Sequence, residues 1–326
     1  MEDKEYCFMM RSLFSAVSGL KSHQTAMDVV GNNVSNVNTT GYKSSRAVFQ
    51  DIYSQTISSA TAPTATTGGI NARQVGLGVS ISAIGMNMTE GSTQSTSYPL
   101  DFAVSGEGFF VVDDGSGSYG YTRNGALTLD ADGYLVTATG DYVMAVLEDN
   151  DGDPSTSLIE NGDEAVTVDP VTGAVTPLFT KIKLLGTVVD TAASVTYRYD
   201  DYAVDANGVV TATVSTLDTS TTPPTVTDTE VRSIGRLVLA TFNNTAGLEK
   251  IGSSYYHESS NSGAAGYNFA NYGGAGSLTS GSLEMSNVDL ATELTNMIIT
   301  QRGFQANSRV ITTSDTLLEE LINLKR

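Results

Sequence analysis

SNVDLATELTNMIITQRGFQANSRVITTSDTLLEELINLKR (286–326) contains no proline and one glycine, Gly303. Its apolar residues return every seven positions at Leu290, Met297, Phe304, Ile311 and Leu318, and Val310, Leu317 and Leu324 form a neighbouring row. A seven-residue apolar repeat on an unbroken helix is a surface written for another helix. At about 1.5 Å per residue the segment reaches roughly 55 Å, too long for a compact domain of its own to cover.

A partner stands at the other end of the chain. Leu13, Val17, Leu20, Met27, Val30 and Val34 step by threes, fours and one seven, which predicts an amphipathic helix over 12–36. Asn36, Asn38 and Thr-Thr-Gly41 stop it, Gly41 being free to take a positive φ. His23 lies beside this stripe and reads as structural, because a lone histidine lacks the partners that catalysis or metal binding needs. Residues 1–8 (MEDKEYCF) do not share the periodicity and read as a leader, with Met1, Met9 and Met10 as candidate starts.

Between the helices the period changes. Residues 43–60 read either as a short helix or as an extended arm, and SSATAPTATTGGINARQ (58–74) as a loop. Short β-type runs follow at 79–84, 100–104, 109–112, 119–122, 127–129 and 134–137, with Asp132-Gly133 as a hairpin turn. Residues 141–230 hold sixteen acids against Lys181, Lys183 and Arg198, a net −13 of the chain's −19. Candidate strands there are 143–147, 165–168, 182–185, 194–199, 209–214 and 225–227, and TSTTPPTVTD (219–228) reads as the exit linker. The apolar run Leu237–Phe242 returns to the first β-region.

The fold class is therefore mixed and mainly β: discontinuous β-domains in series with an N- and C-terminal α-helical coiled-coil domain, in a nested order that brings both helices to one side. The division reads as a leader, 1–8; a terminal helical domain, 9–45 plus 283–326; an inner β-rich domain, 46–145 plus 229–282; and an inserted, separately cored acidic β-domain, 146–228.

Chemistry is sparse. The acidic balance argues against nucleic acid, which needs basic patches. One cysteine, Cys7, and two histidines, His23 and His257, give neither a disulfide framework nor a zinc set. No run reaches the roughly 18 apolar residues of a membrane span, and no secretory signal opens the chain, which taken alone reads as cytoplasmic. Asp149, Asp151, Asp153 and Glu160 match positions 1, 3, 5 and 12 of a calcium loop, but Pro154 stands where glycine is required and the flanks read as strands. An acidic hairpin is the better reading. Gly106-Glu-Gly108 lacks the third glycine and the helix of a dinucleotide fingerprint. Asp200-Asp201 as glycosidase carboxylates has no second feature behind it. No enzyme and no cofactor are expected.

Longer stretches carry a resemblance. MMRSLFSAVSGLKSHQTAMDVVGNNVSNVNTTGYKSSRAVFQDIYSQT (9–56), with Asn32, Asn33, Asn36, Asn38, Gly41 and Tyr42, closely resembles the N-terminus of the flagellar rod and hook protein family. GLGVSISAI (76–84) and GSTQSTSYPLDFAVSGEGFFVV (91–112) are similar to family segments, the latter through Pro99, Leu100, Asp101, Gly106, Gly108, Phe109 and Phe110. YTRNGALTLDADGYLVTATG (121–140), LVLATFNNTAGLEKIGSSYYHESSNSG (237–263) and SGSLEMSNVDLATELTNMIITQRGFQANSRVITTSD (280–315) add to it, so the resemblance covers about two-thirds of the chain.

The resemblance implies a structural subunit that polymerises with identical copies. Its contacts would be Leu13, Val17, Leu20, Met27, Val34, Leu290, Leu294, Met297, Phe304, Ile311 and Leu318, buried largely on assembly at about 25 cal/mol per Å². It also implies rod, hook-cap and hook–filament junction proteins as partners. Export would run through the flagellar type III apparatus without a cleaved signal, to an extracellular place on the flagellum, without membrane insertion. The acidic insert and the RSLFSAVSGL and KSSRAVFQDIYSQT segments resemble hook subunits more than distal rod subunits; the rod is the alternative, and a secreted calcium-binding β-protein a distant one.

Overall fold

The computed structural model describes residues 2–64, 67–113, 115, 117–147, 166–168, 175–177, 179–190, 195–218 and 225–324. Two compact units emerge from the chain's internal contacts. The first comprises Met1–Val37, Lys43–Asn87 and Val288–Arg326; the second comprises Asn38–Tyr42 and Met88–Asn287.

The first unit is built on two long helices, α1 (Glu2–Ser35) and α2 (Leu290–Leu324). α1 begins ten residues before the expected start, because nothing in 2–11 is a glycine or proline that would end a helix. At its other end the amide of Asn36 still donates to the carbonyl of Asn32, and that of Val37 closes a tighter turn onto Val34. α2 is capped by Asp289, whose carboxylate accepts from the Ala291 amide and the Thr292 hydroxyl. Those hydrogen bonds, Thr292 first, hold the Asp289 carboxyl below the usual range.

Residues 43–60 take the extended of their two readings. β1 (Ser45–Asp51) pairs antiparallel with β4 (Val79–Met86), and β2 (Ser54–Ser58) with β3 (Arg73–Gly76). The alternation of VSISAI shows directly as β4. The ribbon is tied to α1 by two hydroxyls: Ser22 donates to the Val79 carbonyl at 3.3 Å, and the Val79 amide donates to Ser18 at 3.3 Å. Gly78 makes that approach possible. It sits at φ +130°, and a Cβ there would stand 2.2 Å from Ser18 Oγ.

In the second unit thirteen of the described strands form one sheet. Its spine is the 17-residue strand Thr225–Thr241. The first part of that strand pairs with Val209–Asp218, from Asp218 opposite Thr225 to Val209 opposite Arg236. The later part pairs with Tyr142–Leu147, Phe109–Asp113 and Gly266–Phe269. Leu237, Val238, Leu239 and Ala240 are all fully buried, as expected of a strand covered on both faces. The Asp132-Gly133 turn joins Leu127–Leu129 to Leu135–Thr137; Gly133 is at φ +86°, and the Asp130 carboxylate accepts from the Asp132 and Tyr134 amides.

Three expectations for 141–230 are corrected. Residues 225–228, read both as a candidate strand over 225–227 and as part of the exit linker, are the start of the spine: Thr225-Val-Thr-Asp-Thr-Glu-Val is an alternating, β-branched run. Residues 182–185 form a single bridge at Lys183, with Ile182 and Leu184 fully buried, while Gly186–Asp190 is the strand. The third concerns a separate core. Val210, Ala212 and Val214 are buried in the same cluster as Leu100, Phe102, Phe110 and Leu239.

Candidate functional site

The two helices run antiparallel in a constant register. Ser12 Oγ meets Ser314 Oγ at 3.5 Å, Gly19 lies under Asn307, His23 lies over Gly303, and Asn33 donates to Glu293 at 3.3 Å. In each pair the two residue numbers sum to the same value, so the helices pass without slipping over some twenty residues. The seam is unusually polar and small. On α1 it buries Ala16, Gly19, Ser22, Ala26, Val30 and Asn33; on α2 it buries Thr300 and Ser314. Small residues allow close backbone approach, and the two glycines are reciprocal: a Cβ on Gly19 would meet Asn307 Nδ2 at 2.7 Å, and one on Gly303 would meet the His23 ring at 2.7 Å. His23 also stacks obliquely on Phe49, with centroids 5.5 Å apart, so its role is structural.

This seam is not the expected apolar stripe of α1. At about 100° per residue, Leu13, Val17, Leu20, Met27 and Val34 centre roughly a quarter-turn from Gly19, Ala26, Val30 and Asn33. All five remain half-buried. On α2 the expected row divides. Met297, Phe304, Ile311 and Leu318 are half-buried on the side facing α1, whereas Leu290 and Leu294 are exposed, together with Ile298, Ile299, Val310 and Leu317. Each helix thus keeps an apolar flank after the two have met. Phe14, at 61% exposure, and Val48, Phe49, Ile52, Tyr53 and Ile57 of the ribbon are further exposed apolar residues of the same unit.

The asparagine–glycine segment has separable roles. Asn33 is fully buried, and its amide clamps Ser45 by donating to the carbonyl at 2.8 Å and accepting from the amide at 3.0 Å. Asn36 closes the helix end by donating to Asn32; Asn38 is exposed. In the second unit the Gly41 amide donates to the Glu284 carbonyl at 2.8 Å. Gly41 is at φ +67°, and a Cβ would lie 2.7 Å from the Asn124 amide nitrogen. Tyr42 is buried, with Lys250 Nζ 4.6 Å from its ring centre.

The remaining motif residues gather near one buried ion pair that reading the sequence missed. Arg123 and Glu284 meet at 3.3 Å with side chains 3% and 0% exposed. Arg123 donates to the carbonyls of Val104 and Gly106 and lies 5.2 Å from the Phe109 ring centre. Gly106 and Gly108, at φ +103° and +138°, shape the backbone that presents those carbonyls. Leu100, Phe109 and Phe110 are core, the Pro99 carbonyl accepts from Ser280, and Asp101 accepts from Thr96. The only sequence signal was a lone cation in YTRNG and a lone acid in GSLEM, far apart in the chain.

The candidate calcium loop, Asp149, Asp151, Asp153 and Glu160, lies outside the described residues, and among those described no three His, Cys, Asp or Glu side chains cluster as metal ligands. Asp200 is part of a surface pair: Arg198 and then Ser215 donate to it and lower its pKa. His257 lines a cavity of about 220 Å³ with Asp141 and Tyr255. Burial, then Asp141, raises the Tyr255 pKa, and its hydroxyl is already engaged with Thr137 and Thr139.

What these elements define is a chain with two helices that keep apolar flanks and a β-unit without a catalytic constellation among the described residues. Three family profiles match it: "Flagella basal body rod protein" over 13–43, "Flagellar hook protein FlgE/F/G D1 domain" over 103–212, and "Flagellar basal body rod FlgEFG protein C-terminal" over 279–324. The chain is 41% identical to the flagellar basal-body rod protein FlgG of Bacillus subtilis over 322 residues, covering 98% of this chain and 100% of that protein. It is 32% identical to the flagellar hook protein FlgE of Borreliella burgdorferi over 454 residues (97% and 100%), and 32% identical to that of Treponema pallidum over 476 residues (98% and 100%). The chain belongs to the flagellar basal-body rod and hook protein family; it is a structural protein and not an enzyme.

Proposed function

We propose that the chain polymerises with identical copies into the axial structure of the flagellum, and that its place there is the hook. The observation that carries polymerisation is the residual apolar surface of the helix pair: Leu13, Val17, Leu20, Met27 and Val34 on α1, and Leu290, Leu294, Ile298 and Leu317 on α2, stay half-buried or exposed although the helices already pair. Fully covering such a side chain is worth roughly 1.5–3 kcal/mol, so a few of them drive association. In the polymer the helix pairs of neighbouring copies pack together into a coiled-coil wall.

The hook reading rests on the strands Val195–Val204, Val209–Asp218 and Thr225–Thr241, which present Asp200, Asp201, Asp228 and Glu230 to solvent. Polar, wet contacts made by such faces slide more readily than dry apolar ones, as a bending tube requires. The rod is the second reading, favoured by the end-to-end match to the Bacillus subtilis rod protein. Under either reading the neighbours are the adjoining axial and cap proteins, and export is through the type III apparatus. Immunogold labelling of isolated hook–basal bodies separates the two: gold on the curved segment supports the hook, gold confined to the rod establishes the alternative.

A further inference from the structure

A cavity of about 270 Å³ lies within the first unit where α1, α2 and β1 meet. Its walls include Val29, Val30, Phe49 and Ile299, and Glu293 lines it. One carboxylate oxygen of Glu293 accepts from Asn33; the other, Oε2, is shut off from solvent and has no hydrogen-bond partner. Ser45, Asn296 and Thr300 also line the cavity, and Glu293 as a whole is half-buried. A carboxylate with one oxygen closed to solvent and unpartnered is nevertheless a half-made ion pair, since burying charge is costly until a cation with good geometry joins it. Burial, and secondarily Asp289, already push the Glu293 pKa upward.

Arg46 lines the same cavity and yet forms no ion pair with Glu293. Two other cations, Arg302 and Arg309, are exposed on α2. Each follows a seam residue, Thr300 or Asn307, by two positions, which places both on the side of α2 turned away from α1. They stand one heptad apart. Ile298 and Ile299, 59% and 62% exposed, sit on the turn before Arg302. A guanidinium bordered by apolar side chains is the complement of a partly apolar cavity with an acid in its wall.

We propose that the cavity beside Glu293 receives an arginine, Arg302 or Arg309, from a second copy of this chain, and that this contact sets the register between neighbouring subunits. The proposal rests on the polymerisation reading above and adds to it a polar lock. Non-directional apolar flanks permit sliding; a buried charge pair does not, because leaving either partner unmatched is expensive.

The test uses full-length protein and measures the critical concentration for assembly by sedimentation, with electron microscopy of the pellets. Glu293→Gln, close to isosteric, is expected to raise the critical concentration roughly tenfold or more, the loss expected when one partner of a buried pair is removed. Glu293→Arg alone and the double variant Arg302→Glu/Arg309→Glu alone are expected to stay unassembled, and an equimolar mixture of the two to form mixed polymers. Unchanged assembly of Glu293→Gln, or of the Arg302/Arg309 variant, overturns the proposal. So does an effect of Arg46→Ala equal to that of Glu293→Gln, which would assign the cation to the same chain. Failure of the unaltered protein to assemble at all overturns instead the polymerisation reading on which this contact rests.

Discussion

Gly303 and His23 show how much of the helix pair depends on single atoms. With the His23 ring 2.7 Å from where a Cβ would stand, Gly303→Ala forces either ring or helix aside. A cost of roughly 1–3 kcal/mol is expected, seen as faster amide hydrogen exchange along both helices. Adding His23→Ala removes the colliding ring and should restore much of the protection. The buried pair in the second unit behaves differently. Arg123→Met leaves Glu284 as an enclosed anion and should cost about 3–5 kcal/mol in urea unfolding. Adding Glu284→Leu should recover only part of this, since Arg123 also serves the Val104 and Gly106 carbonyls and Glu284 the Gly91 amide. If the single and double variants unfold alike, the pair is not what holds that corner. None of these contacts is visible in hydropathy. Gly19, Ser22, Asn33 and Gly303 carry no apolar signal, and Arg123 and Glu284 are 161 positions apart.

At the scale of elements, the helices were legible as helices but not in their facing. The strongest periodic signal in α1 belongs to Leu13, Val17, Leu20 and Met27, and a stripe of large apolar residues is naturally taken for the buried side. The seam instead uses residues small enough to bring two backbones together, and the stripe is left over. That residue is the physical trace of partners beyond the chain. In the β-region the close-spaced alternating runs from Val79 to Thr137 gave strands within a residue or two, because local pattern decides them. The spine was legible only at its two ends, 225–227 and Leu237–Phe242; the largely polar run between them, held by pairing with the preceding strand Val209–Asp218, carries little apolar signal. The helix pair should also respond to pH through Glu293. Its pKa is raised in the folded state, so its contribution is fully present below the usual carboxylate range and is lost as pH rises through the raised value. Hydrogen exchange of α1 and α2 in monomeric protein should therefore quicken over that interval. Glu293→Gln should flatten the dependence; an unaltered profile in that variant would assign the titration elsewhere.

For the whole molecule, the shared core of the second unit means that its acidic strands cannot be removed without consequence. Deleting 186–218 strips one edge of the spine and takes Val210, Ala212 and Val214 out of the core. The thermal midpoint of the β-unit should fall by well over the 4–8 °C that about 1 kcal/mol shifts in a small domain. An unchanged midpoint would restore the idea of a separate insert. Assembly draws on the other unit, and there one measurement bears most directly on the account. Leu13, Leu20 and Leu294, which flank the seam without forming it, are replaced together by aspartate, and sedimentation and electron microscopy follow polymer formation while circular dichroism follows helix content. The expected result is monomeric protein with the unaltered β-unit and no tubes at concentrations where the unaltered chain forms them. Tubes formed by the triple variant as readily as by the unaltered chain would contradict the claim that the free flanks of the helix pair are the surfaces of assembly.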